Sequence, residues 1–269
     1  MTPWNSGYRR DLENLPRLRA KSKPVACAVL AGAPDEIDCR GWLNIENQGS
    51  ANSCAGHMLS SVLEYCNWVD TKGGVVQLSR MFAYLNGQKH AGLYGSDQGC
   101  TIGGVCEGAK ADGICQEETF PYPGRYDSDI PKAAYDEAKE HKLRSYTMLT
   151  NYDDVFAYLA AGLGAVCCGV PWLESLSEAG GVIDGLHGRM YGWHAVPLIG
   201  YSKRLSDAGN HYVWMANSHG RQWGSGGWAE VAPIVVETWG FNGCVMLGCS
   251  DLEEYGDGRP LSWKGALSG

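Results

Sequence analysis

No apolar run in the 269-residue sequence approaches the roughly 20 residues that a membrane-spanning helix needs. The longest, Leu163 to Leu173, is broken by Gly164, Gly169 and Pro171. The first twenty residues are polar and charged and lack the apolar centre of a signal peptide. An extended basic stripe is missing as well. With 22 Lys and Arg against 30 Asp and Glu the formal charge is −8, which argues against a nucleic-acid partner. No internal repeat or low-complexity segment is visible. No paired C-x-x-C units occur, so neither a metal site nor a cofactor is expected.

What is present points elsewhere. Thirty-seven glycines indicate a loop-rich, partly β protein rather than a helical bundle. The length allows a sizeable core, as one large domain or two lobes. Eleven cysteines is an odd number. In an oxidising compartment they would be a disulfide framework with one thiol left over; in a reducing one, mostly small buried hydrophobes. Residues 1–33 form an arm in which Arg9, Arg10, Arg17, Arg19, Lys21 and Lys23 outnumber Asp11 and Glu13. A solvated tail lying over the body is the simpler reading, and a docking segment the alternative.

One stretch organises the rest. Asn47 to Cys54 is a polar loop that runs into an apolar-periodic segment from Ala55 to Trp68, with Met58, Leu59, Val62, Leu63 and Cys66 on one helical stripe. Ser53 or Asn52 suits the N-cap, which puts the Cys54 sulfur at the positive end of a helix, where thiolate is favoured. Gln48, six residues earlier, can bring an amide N–H beside it. A second apolar-periodic stretch, Met81 to Leu85, precedes a Gly-rich loop at 92–104. Residues 131–145 are charged and compatible with a helix. Tyr152 to Leu163 has the acidic start and spacing of an amphipathic helix, and 164–170 reads as a buried strand. His194 opens a second strand, 140 residues after Cys54, and Asn217 ends a third, 23 residues after His194. Helices early and strands late give an α+β class.

These residues, in this order, resemble the papain-like cysteine proteases. The likeness rests on Gln48 and Cys54, on Gly99-Cys100-Thr101-Ile102-Gly103-Gly104, on Glu118 to Pro123, on Trp193-His194-Ala195, and on Asn217-Ser218-His219-Gly220 with Trp223-Gly224. Pro34 to Arg40 resembles the start of the family's mature domain, with Cys39 in place of Trp. The match runs from about 34 to 231, leaving the arm before it and a C-terminal extension, 232–269, expected to pack on the β lobe. The resemblance implies a two-lobed papain-like fold. A mainly helical lobe (about 42–140) faces an antiparallel β-barrel-like lobe (about 141–231) across the active-site cleft.

It also implies roles. Cys54 would be the nucleophile and His194 its proton partner in a thiolate–imidazolium pair. Asn217 would orient the imidazole, and Gln48 would help bind the oxyanion. Gly103, Gly104, Trp193 and Ala195 would line the substrate site. The implied reaction is hydrolysis of peptide or protein substrates through a thioester acyl-enzyme. A catalytically weak binding or structural module is the alternative, or an isopeptide or amide hydrolase using the same triad. Departures are evident. Ala51 replaces a disulfide-forming Cys, so Cys100 is unbridged or joined to Cys106 or Cys115; the missing bridge fits an intracellular setting. Ala55 removes an aromatic wall. His219 stands where an indole usually shields the Asn–His hydrogen bond. His57, one turn from Cys54, is expected to be incidental or a tuning residue. The arm and the extension are candidate assembly contacts.

Overall fold

The computed structural model describes residues 7–11, 15–21, 33–71, 74 and 76–250. Glu13, Lys23 and the tail after 250 lie outside them. In chain order the elements are α1 (Leu15–Lys21), α2 (Cys54–Thr71), α3 (Arg80–Ala91), α4 (Ile102–Ala111), α5 (Lys132–Ala138), β1 (Ser145–Leu149), α6 (Tyr152–Ala160), β2 (Ala165–Leu173), α7 (Glu174–Ser177), β3 (Val182–Ile183), β4 (Met190–Leu205), β5 (His211–Ala216), β6 (Trp228–Val231), α8 (Pro233–Phe241) and β7 (Met246–Ser250). The architecture is α+β. Among the described residues no helix is long and apolar enough to cross a membrane.

Local chemistry sets most boundaries. The Ser79 side chain accepts from the Phe82 N–H and starts α3, which Gly92 ends in the left-handed region at φ 69°. Thr101 caps α4 by accepting from Gly104 N–H. Asn151 caps α6, with Asp153 and Asp154 in the positive first turn. Pro233 opens α8, where its missing N–H costs nothing. The α2 stripe is buried as the periodicity predicts, but burial extends almost all the way round the helix, from Cys54 to Tyr65 and Cys66. Each aliphatic side chain so buried contributes about 1.5–3 kcal/mol.

The strands form one seven-stranded sheet in the order β1-β7-β2-β4-β5-β6-β3. Every neighbouring pair is antiparallel except β3 with β6. The barrel-like expectation is corrected here: the sheet stays open, since β1 and the two-residue β3 end it without pairing to each other. Alternation along β2 separates two cores. Cys167 faces α2 and α4, whereas Cys168 faces α6 and α8. Residues 233–250 enter this architecture directly, with β7 inserted between β1 and β2.

Candidate active site

The first turn of α2 and the middle of β4 approach each other at the edge of the helical layer. Cys54 is fully buried at the first position of α2. Burial pushes its thiol up to about 12, against the backbone N–H groups of Ala195, Ala55, Cys54 itself and Gly7, which favour the thiolate. On the sheet side, Val170 of β2 is opposite His194 and Gly169 opposite Ala195. His194 Nε2 donates to Asn217 Oδ1 at 2.8 Å. That oxygen also accepts from Ser218 N–H at 2.8 Å, and the Asn217 amide donates to His219 Nδ1 at 3.2 Å. The amide is therefore held on both sides. Burial, with His219 next, holds His194 well below its ordinary pKa, so the imidazole is neutral here. Both partners of the expected thiolate–imidazolium pair are buried, and burial opposes the charged form of each.

Gln48 lies beside this pair. Its backbone N–H donates to Ser218 O at 2.8 Å, and its side-chain oxygen accepts from Ser218 Oγ at 2.6 Å. Its Nε2 donates to Ala51 O at 2.9 Å, leaving one amide hydrogen for another acceptor. Tyr122 pins the loop: its hydroxyl donates to Gln48 O at 2.7 Å and lies 2.6 Å from Ser53 Oγ. His57 Nδ1 donates to Ser53 O at 3.1 Å, and burial lowers this histidine to about 3, so it is a neutral, fixed ring.

His219 does more than leave a gap. Its ring stacks on His194 at 4.8 Å between centroids, and burial lowers it to about 4, so it accepts from Asn217 as a neutral base. The shielding aromatic comes from elsewhere. Trp172, at the end of β2, is edge-on to His194 at 4.7 Å and to His219 at 5.2 Å. Sequence reasoning missed it by ending the buried strand at 170, whereas β2 runs to Leu173. A His219→Ala variant loses the Asn217 partner at a cost of about 1 kcal/mol, roughly fivefold in kcat/KM. An unchanged kcat/KM would make Trp172 sufficient alone.

The four lining residues fare differently. Ala195 N–H faces Cys54, and Trp193 is half-buried beside it. Gly103 and Gly104 sit inside the first turn of α4 rather than on an open edge. Gly103 N–H is bound by Asp11 Oδ1 at 3.0 Å and Gly104 N–H by Thr101 at 2.9 Å. The edge that pairs with a peptide is Cys100, and the peptide is the chain's own arm. Cys100 N–H donates to Gly7 O and Arg9 N–H donates to Cys100 O, both at 2.9 Å.

Further contacts hold residues 7–11 there. The Arg10 guanidinium lies 4.3 Å over the Trp193 ring, and the Tyr8 ring fills the space where a Cβ on Gly169 would sit, 2.4 Å away. Asp11 Oδ2 accepts from Ile102 N–H at 3.1 Å. Residues 7–11 are thus held against Cys100, Gly169 and Trp193 of their own chain. No disulfide occurs among the described residues, so Cys100 is bridged to neither Cys106 nor Cys115.

A family model described as papain family cysteine protease matches residues 33–246. Mouse cathepsin J is 26% identical over 234 residues, covering 84% of this chain and 68% of its own length. A probable cysteine protease, RD21B, of Arabidopsis thaliana is also 26% identical, over 79% of this chain and 45% of its own. Among solved structures, xylellain, a cysteine protease from Xylella fastidiosa, superposes with a TM-score of 0.75 at 20% identity, over 93% of this chain and 97% of that one. Bromelain from Ananas comosus gives 0.62 at 20% identity, over 81% and 99%. These structural likenesses speak for the shared fold.

Proposed function

The chain belongs to the papain family of cysteine proteases, and from that premise we propose that it cleaves peptide bonds through Cys54, His194 and Asn217, by way of a thioester on Cys54. The observation that carries this reading is the 2.8 Å His194–Asn217 hydrogen bond, on a strand whose next residue, Ala195, turns its N–H to Cys54 at a helix N-terminus. With Nε2–H committed to Asn217, the imidazole has Nδ1 left as its base.

The steps follow from these groups. The Cys54 proton passes to His194 Nδ1 and the sulfur attacks the scissile carbonyl. Gln48 Nε2 and Cys54 N–H bind the oxyanion, each worth about 3 kcal/mol. The C–N bond breaks as His194 gives its proton to the amine. Water then attacks the thioester, passing a proton through His194 back to the sulfur. Asn217 keeps the ring aligned throughout.

Substrate can bind only after residues 7–11 leave the cleft, which returns water to Cys54 and His194 and lets the ion pair form. The test is covalent labelling by a peptidyl epoxide or halomethyl ketone, with mass mapping. Stoichiometric modification of Cys54 in the arm-released protein, together with turnover of a peptide substrate, supports the reading. Labelling spread over several cysteines only at high pH would favour the binding module.

Release can be engineered. A Cβ on Gly7 would meet Asn52 O at 2.3 Å, so Gly7→Val should displace the arm and raise the rate of Cys54 labelling by about tenfold or more, since each 1.4 kcal/mol of lost docking is a factor of ten. An unaltered labelling rate would show that the arm does not gate the thiol. Docking also depends on pH. Burial pushes the Asp11 carboxyl from 3.8 up to about 6, against the Gly103 and Ile102 N–H groups that favour the anion. The docked arm therefore holds a proton more tightly than the released one. Docking is strongest below the released value and weakens as pH rises through about 6. Hydrogen exchange in residues 7–11, corrected for its intrinsic pH dependence, should speed up across that window, and Asp11→Asn should flatten the change.

A further inference from the structure

Three cysteines meet far from Cys54 in sequence and role. Cys106 comes from the middle of α4, Cys167 from β2 and Cys249 from β7, and all three are fully buried. Cys249 Sγ lies 3.7 Å from Cys167 Sγ and 3.9 Å from Cys106 Sγ. All three sulfurs lie within 4.8 Å of one another. Among the described residues this is the one grouping of metal-competent side chains so close together. Strand register explains the sheet half of it. Cys167 is opposite Leu247 and Ala165 opposite Cys249, so the two cysteines are diagonal neighbours on the face turned to the helices.

The spacing has a chemical meaning. Metal–sulfur bonds near 2.3 Å put sulfurs about 3.8 Å apart around a tetrahedral ion and about 4.0 Å apart around a trigonal one. Both Cys249 separations fall at these values. A disulfide would use two of the sulfurs and leave the third idle; a metal uses all three. An all-sulfur donor set rejects calcium and magnesium, which take oxygen, and selects soft thiophilic ions. Zinc prefers a fourth ligand, often water, and the surrounding core is apolar. We propose that Cys106, Cys167 and Cys249 form a trigonal site for one soft d10 cation, with monovalent copper the best fit, that ties α4 to β2 and β7.

Each sulfur that ligates as thiolate releases its proton to solvent as the ion enters. Because the site is buried, the ion enters as the helices and the sheet come together. The three sulfurs come from three separate elements, 61 and 82 residues apart, so no paired C-x-x-C spacing would mark such a site in the sequence.

The experiment uses the full chain with Cys54→Ala, which removes the reactive thiol as a competitor. The chain is refolded anaerobically with Cu(I), and loose metal is stripped with a Cu(I) chelator. About one copper per chain should survive gel filtration, and X-ray absorption should show three sulfur neighbours near 2.3 Å. Cys106→Ala and Cys249→Ala should each lose the ion, while Cys168→Ala, on the opposite face of β2, should keep it. Far-UV circular dichroism checks that each variant folds; where one does not, the sulfur count in the Cys54→Ala chain decides. The proposal would be overturned by no retained copper, by retention undiminished in folded Cys106→Ala, or by a spectrum with two sulfurs or fewer. A disulfide found among these three cysteines after copper-free refolding under reductant would do the same.

Discussion

A Cys54→Ala chain is expected to hydrolyse peptides on the order of 10⁶-fold more slowly than the arm-released enzyme. Methyl in place of thiol removes the only atom positioned to attack, while the Gln48 and backbone donors remain and supply the residual rate. The steeper test is non-additivity. Cys54 and His194 act as one unit, since an imidazole without a thiol to deprotonate has no proton to carry. Adding His194→Ala to Cys54→Ala should therefore cost nothing further, although each alone is nearly as damaging as both. The comparison is best run on Gly7→Val chains, so that arm release is common to every variant. Equal turnover by the Cys54→Ala and parent chains would refute the thiol mechanism outright.

Arg80→Met should destabilise the fold by about 3–5 kcal/mol in chemical denaturation. Arg80 is 2% exposed, and its Nη2 lies 3.1 Å from Glu64 Oε1 and 3.0 Å from Glu46 Oε1, with Nη1 3.3 Å from Glu117 Oε2. Glu64 is wholly buried on α2, and its Oε1 also accepts from Leu78 N–H at 2.9 Å. Burial pushes Glu64 up to about 7, with Arg80 opposing. Without the guanidinium Glu64 must stay buried as an unpaired anion or take up a proton, so the loss deepens above neutral pH. A double variant, Arg80→Met with Glu64→Leu, should recover much of the stability, because an apolar pair leaves no charge stranded. A single variant within 1 kcal/mol of the parent would show that water reaches the cluster.

The elements that were legible in the sequence are those whose signal is local. The α2 stripe, the acidic start of α6 and the short apolar run of β2 each carry their own periodicity or capping chemistry, and each formed close to its expected place. Order and spacing singled out Cys54, His194 and Asn217, and the fold sets Asn217 against His194 and the Ala195 N–H against Cys54. What was not legible depends on contacts between distant residues. Nothing in Gly7 to Asp11 says that its backbone pairs with Cys100, more than 90 residues away. Trp172 could not be assigned to His194 without knowing how far β2 runs. Gly103 and Gly104 were expected to line the substrate site because Thr101 was not recognised as a cap. Glu64 lies off the apolar stripe of α2, where periodicity alone places a solvated side chain, so its burial against Arg80 was not legible either.

The place of β7 has a consequence for synthesis. The strand is among the last of the described residues to leave the ribosome, yet its slot lies between β1 and β2, made some 75–100 residues earlier. Until it arrives, two unsatisfied strand edges face each other across a gap, the condition that invites intermolecular pairing. At synthesis rates of about 5–20 residues per second that exposure lasts several seconds or longer. A nascent chain stalled before residue 246 is therefore the species most in need of a chaperone, and the helical layer must wait for it to find a complete sheet to rest on.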